Sequence, residues 1–235
     1  MQISQTRTER NCPEDQVYNE LLCLDGKRIL ELGCGKAEFT RAIAADGHDR
    51  RITATDVDRR QHAKNLLIDD LPNVTFMLAG AESIPEADAS FDIVMMFKSL
   101  HHVPGDLLAN ALQEIHRVLK PGGLAYISEP VYGGELNQIM RLFHDEKLVR
   151  EQAFAALQQA VDNNQFRLVD EVFFNSPVYF ENFADYEHKV LKVTHTDHRL
   201  SDATYNRVRD LFNQHMQPDG AHFLAPMRVD LLQKA

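Results

Sequence analysis

Two glycines flank a cysteine in Gly33-Cys34-Gly35, directly after the apolar run Ile29-Leu30-Glu31-Leu32 and before a segment with helical spacing. A glycine turn between a strand and a helix lets bare backbone approach a ligand. About 20 residues further on, Asp56 closes a second apolar run, Ile52-Thr53-Ala54-Thr55. That is the distance at which a Rossmann-like fold offers a carboxylate to ribose hydroxyls. The chemistry these residues suggest is the holding of a nucleoside-bearing cofactor. Two further groups could act on a substrate: Phe97-Lys98-Ser99-Leu100-His101-His102 and Glu129-Pro130-Val131-Tyr132. Lys98 at the mouth of a central strand calls for an anion, either a substrate carboxylate or Glu129. His101 and His102 are candidate proton acceptors, with loop capping as the alternative, and Tyr132 is a candidate acceptor contact.

The elements that must position these residues alternate along the chain. Apolar runs predict strands at 28–32, 51–55, 74–78, 91–97 and 124–128, and helical periodicity predicts helices at 13–24, 38–45, 59–67 and 106–119. The last of these has Leu108, Ala111, Leu112, Ile115, Val118 and Leu119 on one face, and Pro121-Gly122-Gly123 closes it. Strands alternating with helices imply an α/β fold, a doubly wound, Rossmann-like and mainly parallel sheet. Beyond residue 130 the alternation stops. One or two helices are expected over 135–161, a strand over 166–174, helices over 186–193 and 201–216 (with Val208, Leu211, Phe212 and Met216 on one face), and a final strand over 228–232. The reading is a single domain, 1–235, with a cofactor-binding core at 12–130 and helical lid segments at 135–163 and 182–216.

Composition narrows the function. The chain has 235 residues, 44% hydrophobic and 26% charged, as in a soluble globular protein, and no apolar run long enough to span a membrane. The first residues lack the apolar segment of a signal peptide, and Cys12, Cys23 and Cys34 have no metal-type spacing, so they read as reduced thiols in a cytoplasm. A net charge of −10 with no lysine- or arginine-rich cluster disfavours nucleic-acid substrates. His195 and His198 stand at i and i+3, yet no C-x-x-C or H-E-x-x-H spacing occurs, so no metal is expected. Phe143, Phe173, Phe174, Tyr179, Phe180 and Phe183 are candidates for core or for an apolar acceptor pocket.

A dinucleotide fingerprint needs a third glycine where this chain has Glu38, and a carboxylate there would repel a pyrophosphate. The stretch Glu31-Leu32-Gly33-Cys34-Gly35 instead resembles the first motif of class I S-adenosylmethionine-dependent methyltransferases. Asp56-Val57-Asp58 resembles their second motif, and Ala79-Gly80-Ala81-Glu82-Ser83-Ile84-Pro85 is similar to their G-D-A-E-x-L-P stretch. Ser90-Phe91-Asp92-Ile93-Val94 resembles S-F-D-x-V, and residues 114–123 resemble E-x-x-R-V-L-K-P-G-G, a helix, its stop and a turn. The resemblance covers roughly 27–130.

It implies seven strands with the last antiparallel, S-adenosyl-L-methionine as methyl donor and S-adenosyl-L-homocysteine as product. It assigns Glu31 to the cofactor's amino group, with Gly33, Cys34 and Gly35 as the loop beneath it. It assigns Asp56 to both ribose hydroxyls, Val57, Gly80, Ala81 and Glu82 to the adenosine, and Phe97 to the cofactor's border. Gly80 stands where the family's aspartate takes the adenine amino group, and loss of that bond costs about 0.5–1.5 kcal/mol, which leaves binding intact. The expected function is methyl transfer to a small-molecule acceptor, with the oligomeric state open to a homodimer. Two other classes stay open: a nicotinamide-dependent oxidoreductase, and a non-catalytic S-adenosylmethionine-binding or interaction module.

Overall fold

The computed structural model describes residues 1–192 and 200–235. Its sheet is built from β1 (Arg28–Leu32), β2 (Arg51–Asp56), β3 (Val74–Leu78), β4 (Phe91–Phe97), β5 (Leu119–Pro130), β6 (Phe166–Phe180), β7 (Met216–Gln217) and β8 (Gly220–Lys234). The order is β3-β2-β1-β4-β5-β8-β6, with β7 paired to β8. The first five strands run parallel, and β8 is antiparallel to both neighbours. Alternate residues of the central strands feed opposite faces. Leu30, Val94 and Met96 pack with α4 (Leu108–Val118), whereas Ile29, Ile93 and Met95 pack with α1 (Glu14–Leu21) and α2 (Glu38–Ala45). Burial on both faces is why these strands read as continuous apolar runs. A third helix, α3 (Arg59–Asn65), is capped by Asp58, whose side chain accepts from the amides of Arg60 and Gln61.

Three expectations need correction. The sheet has eight strands rather than seven, because β7 turns over Pro218-Asp219 into β8, so Met216 lies in a strand and not on a helical face. β6 and β8 each extend to 15 residues, well past the predicted 166–174 and 228–232. Their added halves carry Asn175, Ser176, Pro177 and Pro226 and lack strand periodicity; pairing with each other, from Asn175↔Pro226 to Phe180↔Ala221, makes them strands. Finally, α6 (Lys147–Asp162) is no lid. Its Ala153, Leu157 and Ala160 join the sheet core beside α4.

A separate apolar cluster lies over the β6–β8 extension. It joins Ile139 of α5 (Glu135–Met140), Tyr186 of α7 (Phe183–Tyr186), Leu191 of the π-helical turn Glu187–Leu191, and Val208 and Phe212 of α8 (Asp202–Asn213). Phe180 and Phe183 belong to it, Phe173 and Phe174 are buried at the sheet, and Tyr179 is exposed with its hydroxyl donating to the Asp219 carbonyl. His195 and His198 lie outside the described residues. No helix among the described residues is long and apolar enough to cross a membrane.

The E-x-x-R signature does more than end a helix. The Arg117 guanidinium donates to the carbonyls of Ile84 and Glu86 at 2.8 and 2.7 Å and to Asp88, while Glu114 accepts from the Ile84 amide at 2.9 Å. The pair thereby fastens the loop after β3 to α4. Arg117→Ala leaves those carbonyls to water and is expected to destabilise the fold by about 1–3 kcal/mol. The urea midpoint measures this; an unshifted midpoint would show that the clamp is dispensable.

Candidate functional site

The glycine turn lies at the carboxyl edge of the sheet. The amides of Gly33 and Cys34 both donate to the Thr55 carbonyl at 2.9 Å, tying the turn to β2. Gly33 has φ +77°, and a Cβ there would stand 2.6 Å from the Cβ of Ser99. Gly35 has φ +50° and would meet nothing within 4 Å, so a hollow opens above it. Its amide donates to Asp56 Oδ2 at 2.7 Å, and the Asp58 amide donates to Asp56 Oδ1 at 2.8 Å. Two backbone donors therefore fix the carboxylate of Asp56 at the rim. Val57 is 68% exposed and Leu78 40%, which leaves an apolar surface beside that acid. Cys34 is buried and accepts from Asn65; its thiol is pushed well above the ordinary range, chiefly by burial.

Under the turn lies Glu31, almost fully buried, with the Thr40 hydroxyl donating to it at 2.5 Å. Burial pushes its carboxyl up to about 7, the Thr40 bond opposes this, and the nearby Asp56 charge adds to it. A buried acid facing a second acid favours a cationic ligand. It disfavours a diphosphate, as does the start of α2, where Ala37 takes a left-handed conformation and Glu38 occupies the first turn.

Gly80 shows a substitution that spacing does not reveal. A Cβ at residue 80 would lie 2.3 and 2.4 Å from the carboxylate oxygens of Glu82. Glu82 thus fills the space that a longer residue 80 would need. Ala81 is buried beside it, and Phe97 stacks on Phe39 with ring centroids 4.2 Å apart.

Beyond β4 and β5 a cavity of about 330 Å³ is lined by Lys98, His101, His102, Phe143, Glu146 and Arg150, among others. Glu129, at the end of β5, accepts from the Leu100 amide at 2.9 Å and pairs with His101 Nδ1 at 2.5 Å. His101 Nε2 lies 3.5 Å from Glu146 Oε1, and Arg150 pairs with the other oxygen of Glu146 at 2.5 Å. Burial lowers the pKa of His101, but Glu129 and Glu146 outweigh it and push the imidazole up to about 9. Burial alone would raise Glu146, yet His101 and Arg150 hold its carboxyl well below the usual range. A larger hollow, about 950 Å³, lies at the opposite edge, lined by Lys27, Arg28, Arg51, Asn73 and Lys120. Wound sheets bind ligands outside the carboxyl ends of their strands, so this amino-edge hollow is set aside despite its size.

A profile of the methyltransferase domain matches residues 29–123, the span from the glycine turn to the strand-five turn. Residues 29–123 thus carry a methyltransferase domain. It is 35% identical over 115 residues to 27-O-demethylrifamycin SV methyltransferase of Amycolatopsis mediterranei, covering 46% of this chain and 40% of that one. It is 34% identical over 106 residues to demethylmenaquinone methyltransferase of Staphylococcus epidermidis, covering 44% and 43%. The chain thus spans under half the length of these relatives. The uncharacterised methyltransferase YcgJ of Bacillus subtilis is 27% identical over 216 residues, covering 83% of this chain and 81% of YcgJ. The solved YcgJ structure superposes with a TM-score of 0.60 at 22% identity, over 94% of this chain and 97% of that one, which shows the shared fold.

The fold places Glu31, Gly33, Cys34, Gly35, Asp56 and Val57 at the carboxyl edge of the sheet. One of the two alternatives for Lys98 is set aside by the geometry. Lys98 does not pair with Glu129, whose oxygens are taken by Leu100 and His101; with φ +53°, it sets its ammonium 5.4 Å from the Phe39 ring centroid. Tyr132 is not among the residues lining the cavity, though its neighbours Val131 and Gly133 are. Glu146 and Arg150 escaped the sequence reading. Their i, i+4 spacing on a predicted helix was the available signal, but it says nothing about which face meets His101.

Proposed function

We propose that the protein transfers a methyl group from S-adenosyl-L-methionine to a small-molecule acceptor held in the 330 Å³ cavity. The observation that carries this reading is the buried Glu31 beneath an open glycine turn. A ligand with an ammonium group and no phosphate matches that charge, whereas a dinucleotide does not. Glu31 and the Gly33–Gly35 backbone would hold the amino-acid end, Asp56 the ribose, and Val57, Leu78 and Ala81 the adenine. Glu82 offers a carboxylate where the family usually has an aspartate at residue 80.

The bound cofactor supplies an electrophilic sulfonium methyl, so the protein's task is alignment for in-line displacement. Positioning of that kind contributes on the order of 7–11 kcal/mol. Phe97 and Phe39 border the cofactor side, and Lys98, His102 and Arg150 line the acceptor side. His101 sits between two carboxylates, an arrangement that favours the imidazolium, so it orients the wall rather than abstracting a proton. α5 and α7–α8 act as the cap over the acceptor. Nucleic acid is not the substrate, and the protein works in the cytoplasm as a monomer or homodimer.

Calorimetric titration with S-adenosylmethionine and with NADH tests the reading; heat with NADH alone would replace it with the oxidoreductase. Asp56→Ala removes the acid at the rim and is expected to weaken S-adenosylhomocysteine binding ten-fold or more, the scale of about 1.5–3 kcal/mol for hydrogen bonds to a charged group. Unchanged affinity in that variant would put the ribose elsewhere.

A further inference from the structure

We propose that His101, His102 and Glu146 form a binding site for one divalent cation of the zinc class on the wall of the acceptor cavity. One ligand atom from each of the three residues lies within 4.8 Å of the other two. His101 Nε2 and Glu146 Oε1 are 3.5 Å apart. Two donors bound to tetrahedral zinc at about 2.0–2.2 Å are separated by roughly 3.4 Å, so this pair needs almost no movement to share an ion.

The surrounding residues match what a metal-binding histidine requires. A ligating imidazole commonly donates its other ring N–H to a carboxylate, which fixes the tautomer and the ring plane. His101 has that partner in Glu129, at 2.5 Å from Nδ1, and the Leu100 amide holds Glu129 in turn. This leaves Nε2 as the nitrogen facing Glu146. Arg150 pairs with Oε2 of Glu146 and steadies the carboxylate, while His144 Nε2 lies 3.0 Å from Oε1, a contact that the ion would displace. His101, Glu129 and Glu146 are all buried.

Two imidazoles and one carboxylate suit zinc or a similar transition ion, and not magnesium or calcium, which prefer oxygen throughout. Three protein ligands leave a fourth position, as at catalytic zinc centres. All three residues line the cavity. Linear spacing hides the site: the two histidines are adjacent on a 3₁₀ turn, and Glu146 is the residue before α6. The inference stands on this geometry alone and does not depend on the methyl-transfer reading.

The test is calorimetric titration of zinc chloride into the full chain, stripped of metal by a chelator, with cobalt(II) as an optical probe. About one equivalent should bind the wild type, and cobalt should give the visible absorption of a four-coordinate N,O site. Glu129→Gln is expected to weaken zinc by about 10–100-fold, as loss of such a carboxylate partner does. Glu146→Gln should abolish the site. If that variant fails to fold, His102→Ala decides, because His102 is exposed and its removal leaves the core intact. Binding at least ten-fold weaker in His102→Ala supports the site. Absence of stoichiometric uptake by the wild type, or wild-type affinity in His102→Ala, overturns it.

Discussion

Glu31→Gln is expected to stabilise the cofactor-free protein above neutral pH while weakening its affinity for S-adenosylhomocysteine. The folded state holds the Glu31 proton up to about pH 7, whereas the unfolded chain releases it near 4.5. Between those values the folded state binds more protons, so stability falls as pH rises through the window and then levels off. For this fully buried group the loss is on the order of 3 kcal/mol. Glutamine keeps an oxygen for the Thr40 hydroxyl and carries no charge to desolvate. The difference in unfolding free energy between variant and wild type should therefore be small at pH 4 and grow toward pH 8. Calorimetry should show the opposite trend for the ligand, because the variant cannot pair with an ammonium group. A pH-independent difference would mean that Glu31 is already compensated in the free protein. A stable variant with unaltered affinity would remove it from the cofactor site.

Gly33→Ala should be the most damaging single-methyl change in the turn. Its φ of +77° is unfavourable for any residue with a Cβ, and the added carbon would lie 2.6 Å from the Cβ of Ser99. Ser99 cannot easily retreat, since its hydroxyl donates to the Leu32 carbonyl at 2.8 Å. Left-handed strain and overpacking together are expected to cost roughly 2–4 kcal/mol. Gly35→Ala provides the contrast: its φ is also positive, but open space lies ahead of it. That variant should lose about 1 kcal/mol of stability from backbone strain alone and still block the hollow, so its binding defect should exceed its folding defect. Urea unfolding paired with ligand titration separates the two. Equal destabilisation by both substitutions would show that contact with Ser99 carries no weight.

Together the two substitutions describe a turn in which stability is traded for binding. The buried acid destabilises the empty protein, and the glycine that admits the ligand also permits β1 and β4 to end within contact of each other. The same trade explains why the Arg117 clamp sits where it does. The loop carrying Gly80, Ala81 and Glu82 buries Ala81 and Ile84 in the core beside α4 and is also held to that helix by polar bonds.

From the amino-acid order alone, the five parallel strands, the helices between them and the positions of Gly33, Gly35 and Asp56 could be read. Each of these is encoded within a short window, by periodicity, by a glycine or by a cap, and the alternation of windows dictates a wound sheet. Tertiary structure alone decided the rest. His101 meets Glu129 and Glu146 across 28 and 45 positions of chain; Glu82 folds into the space over Gly80, Lys98 turns to Phe39, and α6 joins the sheet while α5 does not. The halves of β6 and β8 beyond residues 174 and 227 become strands through each other, because their side chains carry no strand pattern to announce it. Direction and partnership of side chains depend on how distant elements pack, and no local window contains that information.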